Sequence, residues 1–126
     1  MKLEELIENL HYKELINFKN VDITGISYNS QTTKKGNIFV CMTGEHTDGH
    51  KYFQKAVEVG AVALMVEKPL DTHLPQVVVA STKKQIADIS AKFFNFPSKS
   101  LNLVGVTGTN GKTTVTHLLQ KIMEYY

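Results

Sequence analysis

Short apolar runs that alternate with helical segments constrain the fold of this chain more than any other feature of its sequence. Three runs, residues 38–42, 61–66 and 77–80, are typical of strands buried on both faces, and further strand patterns lie at 21–27 and 101–106. Apolar side chains fall at helical spacing in four other segments: residues 3–10, 53–60, 86–93 and 115–122. Because strands alternate with helices, the sequence predicts an α/β fold with largely parallel strand pairing.

Polar residues and glycines mark the expected ends of the helices. Asp48 is typical of a helix N-cap, and Gly60 is typical of a C-terminal stop. Ser81 or Thr82 can cap the next helix. These signals predict a helix that ends at Gly60 and another that begins directly after the strand at 77–80.

The segment Pro97-Ser98-Lys99-Ser100 interrupts the helical pattern and predicts a linker. We expect residues 1–97 to form a small, nearly complete α/β domain. Residues 98–126 are expected to contribute one strand, one loop and one helix of a second domain. Since one strand and one helix cannot cover a parallel sheet, we expect the rest of that domain to lie outside this chain.

Composition excludes several classes of protein. The 14 basic residues are all Lys, the acidic residues number 12, and the net charge of +2 is too small for a dedicated nucleic-acid-binding protein. Cys41 is the single cysteine, which excludes an internal disulfide and a cysteine metal cluster. No apolar stretch approaches the roughly 20 residues of a membrane span, and the N-terminus lacks a signal-peptide pattern. A soluble, cytoplasmic protein is expected, with its oligomeric state left open.

A glycine-rich segment between the last predicted strand and the last predicted helix has the composition of a phosphate-binding loop. Its residues are Gly108, Thr109, Asn110, Gly111, Lys112, Thr113 and Thr114. Glycines let backbone amides approach phosphate closely, Lys112 would reach the β- and γ-phosphates of ATP as the catalytic cation, and Thr113 would bind Mg²⁺. The generic motif has a glycine where this chain has Val106, so the match is incomplete at that position.

Three other polar or nucleophilic residues permit simpler interpretations. His46 and His50 could bind a metal ion together, but two histidines without a third ligand are more typical of exposed loop residues. Cys41 lies within an apolar strand, which is typical of a small buried hydrophobic side chain rather than a nucleophile.

Taken together, these segments resemble the Mur ligases. The resemblance rests on residues 22–30, 36–41, 44–53, 60–63, 94–98 and 101–114, so it covers nearly the whole chain and is weakest in residues 1–20. Within that family the combination is most similar to the synthetases that add a diamino acid to UDP-N-acetylmuramoyl-L-alanyl-D-glutamate. The phosphate-binding loop alone would also fit folylpolyglutamate synthetases, and the upstream segments are shared with the ligase that adds D-alanyl-D-alanine.

The resemblance implies an ATP-dependent amide ligase of peptidoglycan precursor synthesis, of which this chain would be an N-terminal part that is inactive alone. It implies an N-terminal UDP-substrate domain, the beginning of an ATPase domain, and ATP with Mg²⁺ as cofactors. Carried over by position, the UDP-substrate residues are Tyr28, Ser30, Glu45, His46 and Thr47. The partners would be the UDP-N-acetylmuramoyl dipeptide and meso-diaminopimelate or L-lysine.

Residues 29–31 depart from the family pattern. The family usually has Asp-Ser-Arg where this chain has Asn29-Ser30-Gln31, so an acid and an arginine that could contact phosphate are both replaced. Two alternatives therefore stay open at this stage. One is a truncated, non-catalytic protein that binds UDP-linked ligands, and the other is an ordinary phosphate-loop NTPase or kinase, which would need an acidic residue on a later strand.

Overall fold

The computed structural model describes residues 1–125, which divide into two compact units, Met1–Phe96 and residues 97–125. The first unit contains three α-helices, α1 (Leu3–Ile7), α2 (Phe53–Val59) and α3 (Thr82–Phe93), and a short 3₁₀ helix, Gly49–Tyr52. Its strands are β1 (Tyr12–Ile16), β2 (Gly25–Ser27), β3 (Asn37–Val40), β4 (Ala63–Val66) and β5 (Gln76–Val79). The second unit contains a 3₁₀ helix, Pro97–Ser100, and α4 (Lys112–Glu124).

The five strands form one sheet in the order β1-β5-β4-β3-β2. Strands β2, β3, β4 and β5 pair parallel to one another, with Ile38 opposite Ala63 and Met65 opposite Val77. The prediction of an α/β fold with largely parallel pairing is therefore confirmed. Strand β1, which the apolar pattern did not predict, pairs antiparallel with β5 at the edge of the sheet. Three of its five residues are exposed, so it lacks the continuous apolar run that marks the inner strands.

Both faces of the sheet are covered by apolar side chains. Alternate residues of β3 point to opposite faces, so Ile38 and Val40 join one cluster and Phe39 joins the other. Leu3, Leu6 and Ile7 of α1 and Ile89 of α3 cover the first face, and Ala56 of α2 covers the second. This two-sided burial explains why the inner strands read as unbroken apolar runs.

The predicted helix ends are confirmed. Gly60 adopts a left-handed conformation with φ of 116° and donates its N–H to the carbonyls of Ala56 and Val57, which ends α2. Ser81 caps α3 by accepting a hydrogen bond from the backbone N–H of Lys84. Asp48 caps the 3₁₀ helix before α2 in the same way, accepting from the N–H of His50.

Two predicted strands differ from the structure. The strand expected at 21–27 is reduced to β2, and Asp22 instead forms an isolated bridge with Lys2. The strand expected at 101–106 is not formed, and its residues have no ladder partner among residues 1–125. Apolar composition can favour an extended segment, but a strand exists only where a neighbour completes its hydrogen bonds.

In the second unit, α4 begins at Lys112, directly after Gly111, whose φ of 78° is left-handed. No residue of α4 is buried, and Val115, Leu118 and Ile122 are exposed. Among residues 1–125, no helix combines the length and the apolar character that crossing a membrane would require.

Candidate functional site

An open cleft of about 580 Å³ lies where the loops that follow β2 and β3 meet. Because β2 and β3 are parallel, their carboxyl ends share one edge of the sheet, which brings the two loops together. The 3₁₀ helix, α2 and α3 contribute the remaining lining. The lining residues are Tyr28, Asn29, Ser30, Gln31, Met42, Thr43, Gly44, Thr47, Gly49, Tyr52, Lys55 and Lys83.

The cleft brings together three of the five residues predicted to contact a UDP-linked substrate. Tyr28, Ser30 and Thr47 line it, with Ser30 nearly buried and Tyr28 64% exposed. Glu45 and His46 belong to the same loop as Thr47 but are not among the lining residues. The binding roles of all five stay predictions.

The first loop of the cleft is a turn held by its own polar side chains. Asn29 Oδ1 accepts the backbone N–H of Gln31 at 2.9 Å, and the Thr33 hydroxyl donates to the Asn29 carbonyl at 2.9 Å. Asparagine is typical of such turns because its side chain can bond the backbone two residues on. The amide of Asn29 thus performs a structural task that an aspartate could also perform.

The second loop of the cleft is closed by backbone hydrogen bonds. Gly44 N–H donates to the Thr47 carbonyl and Gly49 N–H donates to the Met42 carbonyl, each at 2.8 Å. A Cβ on Gly49 would lie 2.7 Å from the Met42 nitrogen, so the close approach of the two chain segments requires glycine here.

His50 is buried, which contradicts the expectation that it is an exposed loop residue. Its Nδ1 lies 2.6 Å from Asp48 Oδ1, and its Nε2 accepts the backbone N–H of Glu67 at 3.0 Å. This pattern requires the tautomer with the proton on Nδ1. His50 therefore ties the second loop to the end of β4, and no group of three metal-ligating side chains surrounds it within the described part of the chain.

Glu67 extends this network to α3. One carboxylate oxygen accepts from the backbone N–H of Thr82 at 2.8 Å and from its hydroxyl at 2.9 Å, while the other accepts from the Thr43 hydroxyl at 3.1 Å. Burial acts to raise the pKa of Glu67, but these hydrogen bonds outweigh it and lower the pKa. The ionised Glu67 thus connects β4, α3 and the second loop.

Two other groups near the cleft, Asp48 and Cys41, have shifted pKa values, and the physical causes of the two shifts differ. The pKa of Asp48 falls to about 2, chiefly because it accepts the His50 backbone N–H and then because of the imidazole. Burial raises the pKa of the Cys41 thiol to about 12. Cys41 is therefore a buried hydrophobic side chain, as the sequence predicted, and not a thiolate nucleophile.

Sequence patterns did not indicate Lys55, Lys83 or Tyr52 as residues of the site. Lys55 lies on α2, Lys83 lies in the first turn of α3, and Tyr52 ends the 3₁₀ helix. Their shared position depends on the strand order, because parallel pairing places the helix starts after β3 and β5 at one edge of the sheet. Lysine near a helix start is otherwise typical of an ordinary solvated charge.

The predicted phosphate-binding segment leads into α4 as the sequence indicated. Gly108 and Gly111 have φ of 148° and 78°, values that side chains disfavour, and no described atom lies within 4 Å of the position that a Cβ on Gly111 would take. The Lys112 ammonium donates a hydrogen bond to the Gly108 carbonyl. The loop therefore has the open backbone and the cation that phosphate binding requires, while the role of Thr113 stays a prediction.

Comparison with known proteins gives a family match and relatives over nearly the whole chain. The model of the Mur ligase family, catalytic domain, matches residues 22–98. The UDP-N-acetylmuramoyl-L-alanyl-D-glutamate–2,6-diaminopimelate ligase of Halalkalibacterium halodurans is 44% identical over 98% of this chain and 26% of its own length. The ligase of the same name from Listeria monocytogenes is 41% identical over 98% of this chain and 25% of its own length. This chain thus spans about a quarter of the curated relatives it matches.

Solved structures show the same similarity. The UDP-N-acetylmuramoylalanyl-D-glutamyl-2,6-diaminopimelate–D-alanyl-D-alanyl ligase from Acinetobacter baumannii matches with a TM-score of 0.75 at 25% identity, over 97% of this chain and 27% of that protein. A MurF ligase from Thermotoga maritima in complex with ADP matches with a TM-score of 0.57 at 27% identity, over 77% of this chain and 22% of that protein. Because the family model matches more than half of the residues of this chain, the chain belongs to the Mur ligase family.

Proposed function

We infer that this chain is the N-terminal part of an ATP-dependent ligase that adds a diamino acid to UDP-N-acetylmuramoyl-L-alanyl-D-glutamate in peptidoglycan precursor synthesis. The observation that carries the proposal is the cleft at the carboxyl edge of the sheet, which gathers Tyr28, Ser30 and Thr47. Relatives named for this reaction with 2,6-diaminopimelate are 41–44% identical over nearly the whole chain. We therefore favour meso-diaminopimelate over L-lysine as the amino acid and the cytoplasm as the site of action.

Within this proposal the UDP-substrate domain is residues 1–97, which contain the first unit, Met1–Phe96. Tyr28 offers an exposed ring on which a base can stack, while Ser30 and Thr47 offer hydroxyls that can donate to or accept from a uridine or its phosphates. Glu45 and His46 are exposed in the same loop, so a ligand larger than the cleft could reach them.

Residues 98–126 would begin the ATP-binding domain. The residues that would hold ATP are Gly108, Thr109, Asn110, Gly111, Lys112, Thr113 and Thr114. They fit a triphosphate because the glycines leave the first-turn amides of α4 uncovered and Lys112 lies at the helix start. Thr113 would be the Mg²⁺ ligand from this loop. Bound ATP supplies the phosphoryl group that activates a carboxylate for amide formation, and Lys112 would offset the charge on its phosphates.

The D-alanyl-D-alanine-adding ligases are the second candidate, and the comparisons favour them less. The solved structure of the D-alanyl-D-alanyl ligase from Acinetobacter baumannii is 25% identical to this chain, whereas the diaminopimelate ligases are up to 44% identical over the same region. Because the first units of the two enzymes would bind the same UDP group, this choice does not alter the expected role of the cleft.

Titration of the 126-residue chain with UDP, followed by NMR, tests the proposal. We expect the amide signals of Ser30 and Thr47 to shift, with weak binding because only part of the substrate would meet this domain. The control is Lys112→Ala, which lies in the second unit and should leave these shifts unchanged. Shifts confined to residues 108–114 would contradict the assignment of the cleft to the UDP group.

A further inference from the structure

The cleft carries positive charge that none of its other lining residues neutralises. Two of its lining residues, Lys55 and Lys83, are cationic, and none of the described residues that line it is acidic. Elsewhere in residues 1–125, four lysines form ion pairs with carboxylates: Lys2, Lys68, Lys92 and Lys121. Neither Lys55 nor Lys83 has an ion pair or hydrogen-bond partner within that part of the chain.

Two carboxylates beside the second loop, Asp48 and Glu67, are already engaged, and Glu45 of that loop neither lines the cleft nor forms an ion pair with Lys55 or Lys83. Asp48 is bonded through one oxygen to His50 and through the other to Lys68 at 3.3 Å. Both oxygens of Glu67 accept hydrogen bonds from threonines. Since none of these acids forms an ion pair with Lys55 or Lys83 among the described residues, the two lysines of the cleft stay available for an anion from outside the protein.

The chain also lacks the residue that would otherwise recognise that anion. It contains no arginine, and Gln31, which lines the cleft at the position where the family resemblance expects arginine, is uncharged. Gln31 can donate a hydrogen bond to phosphate but cannot neutralise its charge. Any charge compensation within the cleft must therefore come from Lys55 and Lys83.

We propose that Lys83 and Lys55 are the residues through which this cleft selects a nucleoside diphosphate over an uncharged nucleoside. The inference rests on the proposed function, because it assigns the diphosphate of the UDP group to the cations of the same cleft. Lys83 also lies in the first turn of α3, where the helix dipole adds to the attraction for an anion. Lys55 approaches from α2, so the two cations come from different elements.

Paired titrations with UDP and uridine test this inference. In the unmodified chain at low salt, we expect UDP to bind more tightly than uridine at Ser30 and Thr47, with a difference that shrinks as salt screens the charges. Since exposed ion pairs are weak, Lys83→Met or Lys55→Met should each reduce UDP affinity by about threefold to fivefold. Uridine affinity should change by less than about twofold in either variant, which also shows that the fold is intact.

Two further variants act as controls. Lys84 neighbours Lys83 on α3 but does not line the cleft, so Lys84→Met should leave the preference for UDP unchanged. Lys83→Arg retains the charge and should retain the preference.

The possible outcomes separate this inference from the proposed function. Equal binding of UDP and uridine at Ser30 and Thr47, unaffected by Lys83→Met, would overturn the inference and leave the proposed cleft standing. An advantage of UDP that is lost only in Lys112→Ala would place the diphosphate at the phosphate-binding loop and overturn the inference. The absence of shifts at Ser30 and Thr47 with either ligand would overturn both.

Discussion

Asp48 and His50 hold the second loop of the cleft in place. Asp48 accepts hydrogen bonds from the backbone N–H and the imidazole of His50, and His50 in turn accepts the backbone N–H of Glu67. The sequence indicated Asp48 as a helix cap, but the long-range partner of His50 lies 17 residues away and no local pattern indicates it. At the scale of the residue, the shape of the cleft therefore depends on one buried imidazole.

Asp48→Asn should destabilise the chain in a pH-dependent way. Asparagine retains an Oδ1 acceptor for the His50 backbone N–H but removes the negative charge, so the hydrogen bonds to His50 and Lys68 lose their charge assistance, which should cost about 1 kcal/mol at pH 7. The folded pKa of Asp48, about 2, lies below the ordinary value of 3.8, so the stabilisation is present above about pH 4 and is lost as pH falls toward 2. Urea unfolding at about pH 7 and about pH 2.5 measures the loss of stability and its dependence on pH. The control is Asp71→Asn, because Asp71 is exposed. An equal loss of unfolding free energy for Asp48→Asn at both pH values would contradict the prediction.

The ends of the helices and strands show where local chemistry is sufficient. The stop at Gly60 and the cap at Ser81 follow from conformational preference and side-chain hydrogen bonding, and the structure contains both. The apolar pattern did not predict strand β1, and the strand that it predicted at 101–106 is not formed. The polar edge strand β1 forms because β5 offers a partner, while the apolar residues 101–106 have none among the described residues.

Gly60→Ala should destabilise the chain by about 1–2 kcal/mol, because an L-residue incurs that penalty in the left-handed region. The added Cβ would also lie 3.0 Å from the Lys35 Cα, which is close enough to require a backbone adjustment. Gly105→Ala is the matched control, since Gly105 has no left-handed φ and no described atom lies within 4 Å of the position that its Cβ would take. Thermal unfolding of both variants checks this, and equal stability would contradict the role of Gly60 as a stop.

At the scale of the whole molecule, the two units differ in how well they are covered. The first has a sheet with apolar clusters on both faces, whereas the helix of the second has no buried residue among those described. The family model matches residues 22–98, nearly all of which lie in the first unit, and the chain spans about a quarter of the length of its curated relatives.

The 126-residue chain alone should form no amide bond from ATP, an amine and the UDP-linked dipeptide. Mg²⁺ is usually held by carboxylates together with substrate phosphates, and residues 107–114 contain no acid. The acceptor carboxylate would also lack the positioning that makes phosphoryl transfer effective. A coupled assay for ADP release, with Lys112→Ala as the comparison, measures this. Turnover that Lys112→Ala abolishes would require a complete active site within these residues.

The sequence by itself determined the fold class, the inner strands, the helix ends and the glycine-rich loop before α4, because each depends on neighbours within a few residues. Apolar runs, glycine conformation and capping side chains all act locally. Only the tertiary structure decided that β1 completes the sheet, that His50 is buried against Glu67, and that Lys55 and Lys83 share a cleft with Ser30 and Thr47. Those arrangements depend on strand order, which brings together residues that are distant in the chain. No local periodicity in the sequence indicates that order.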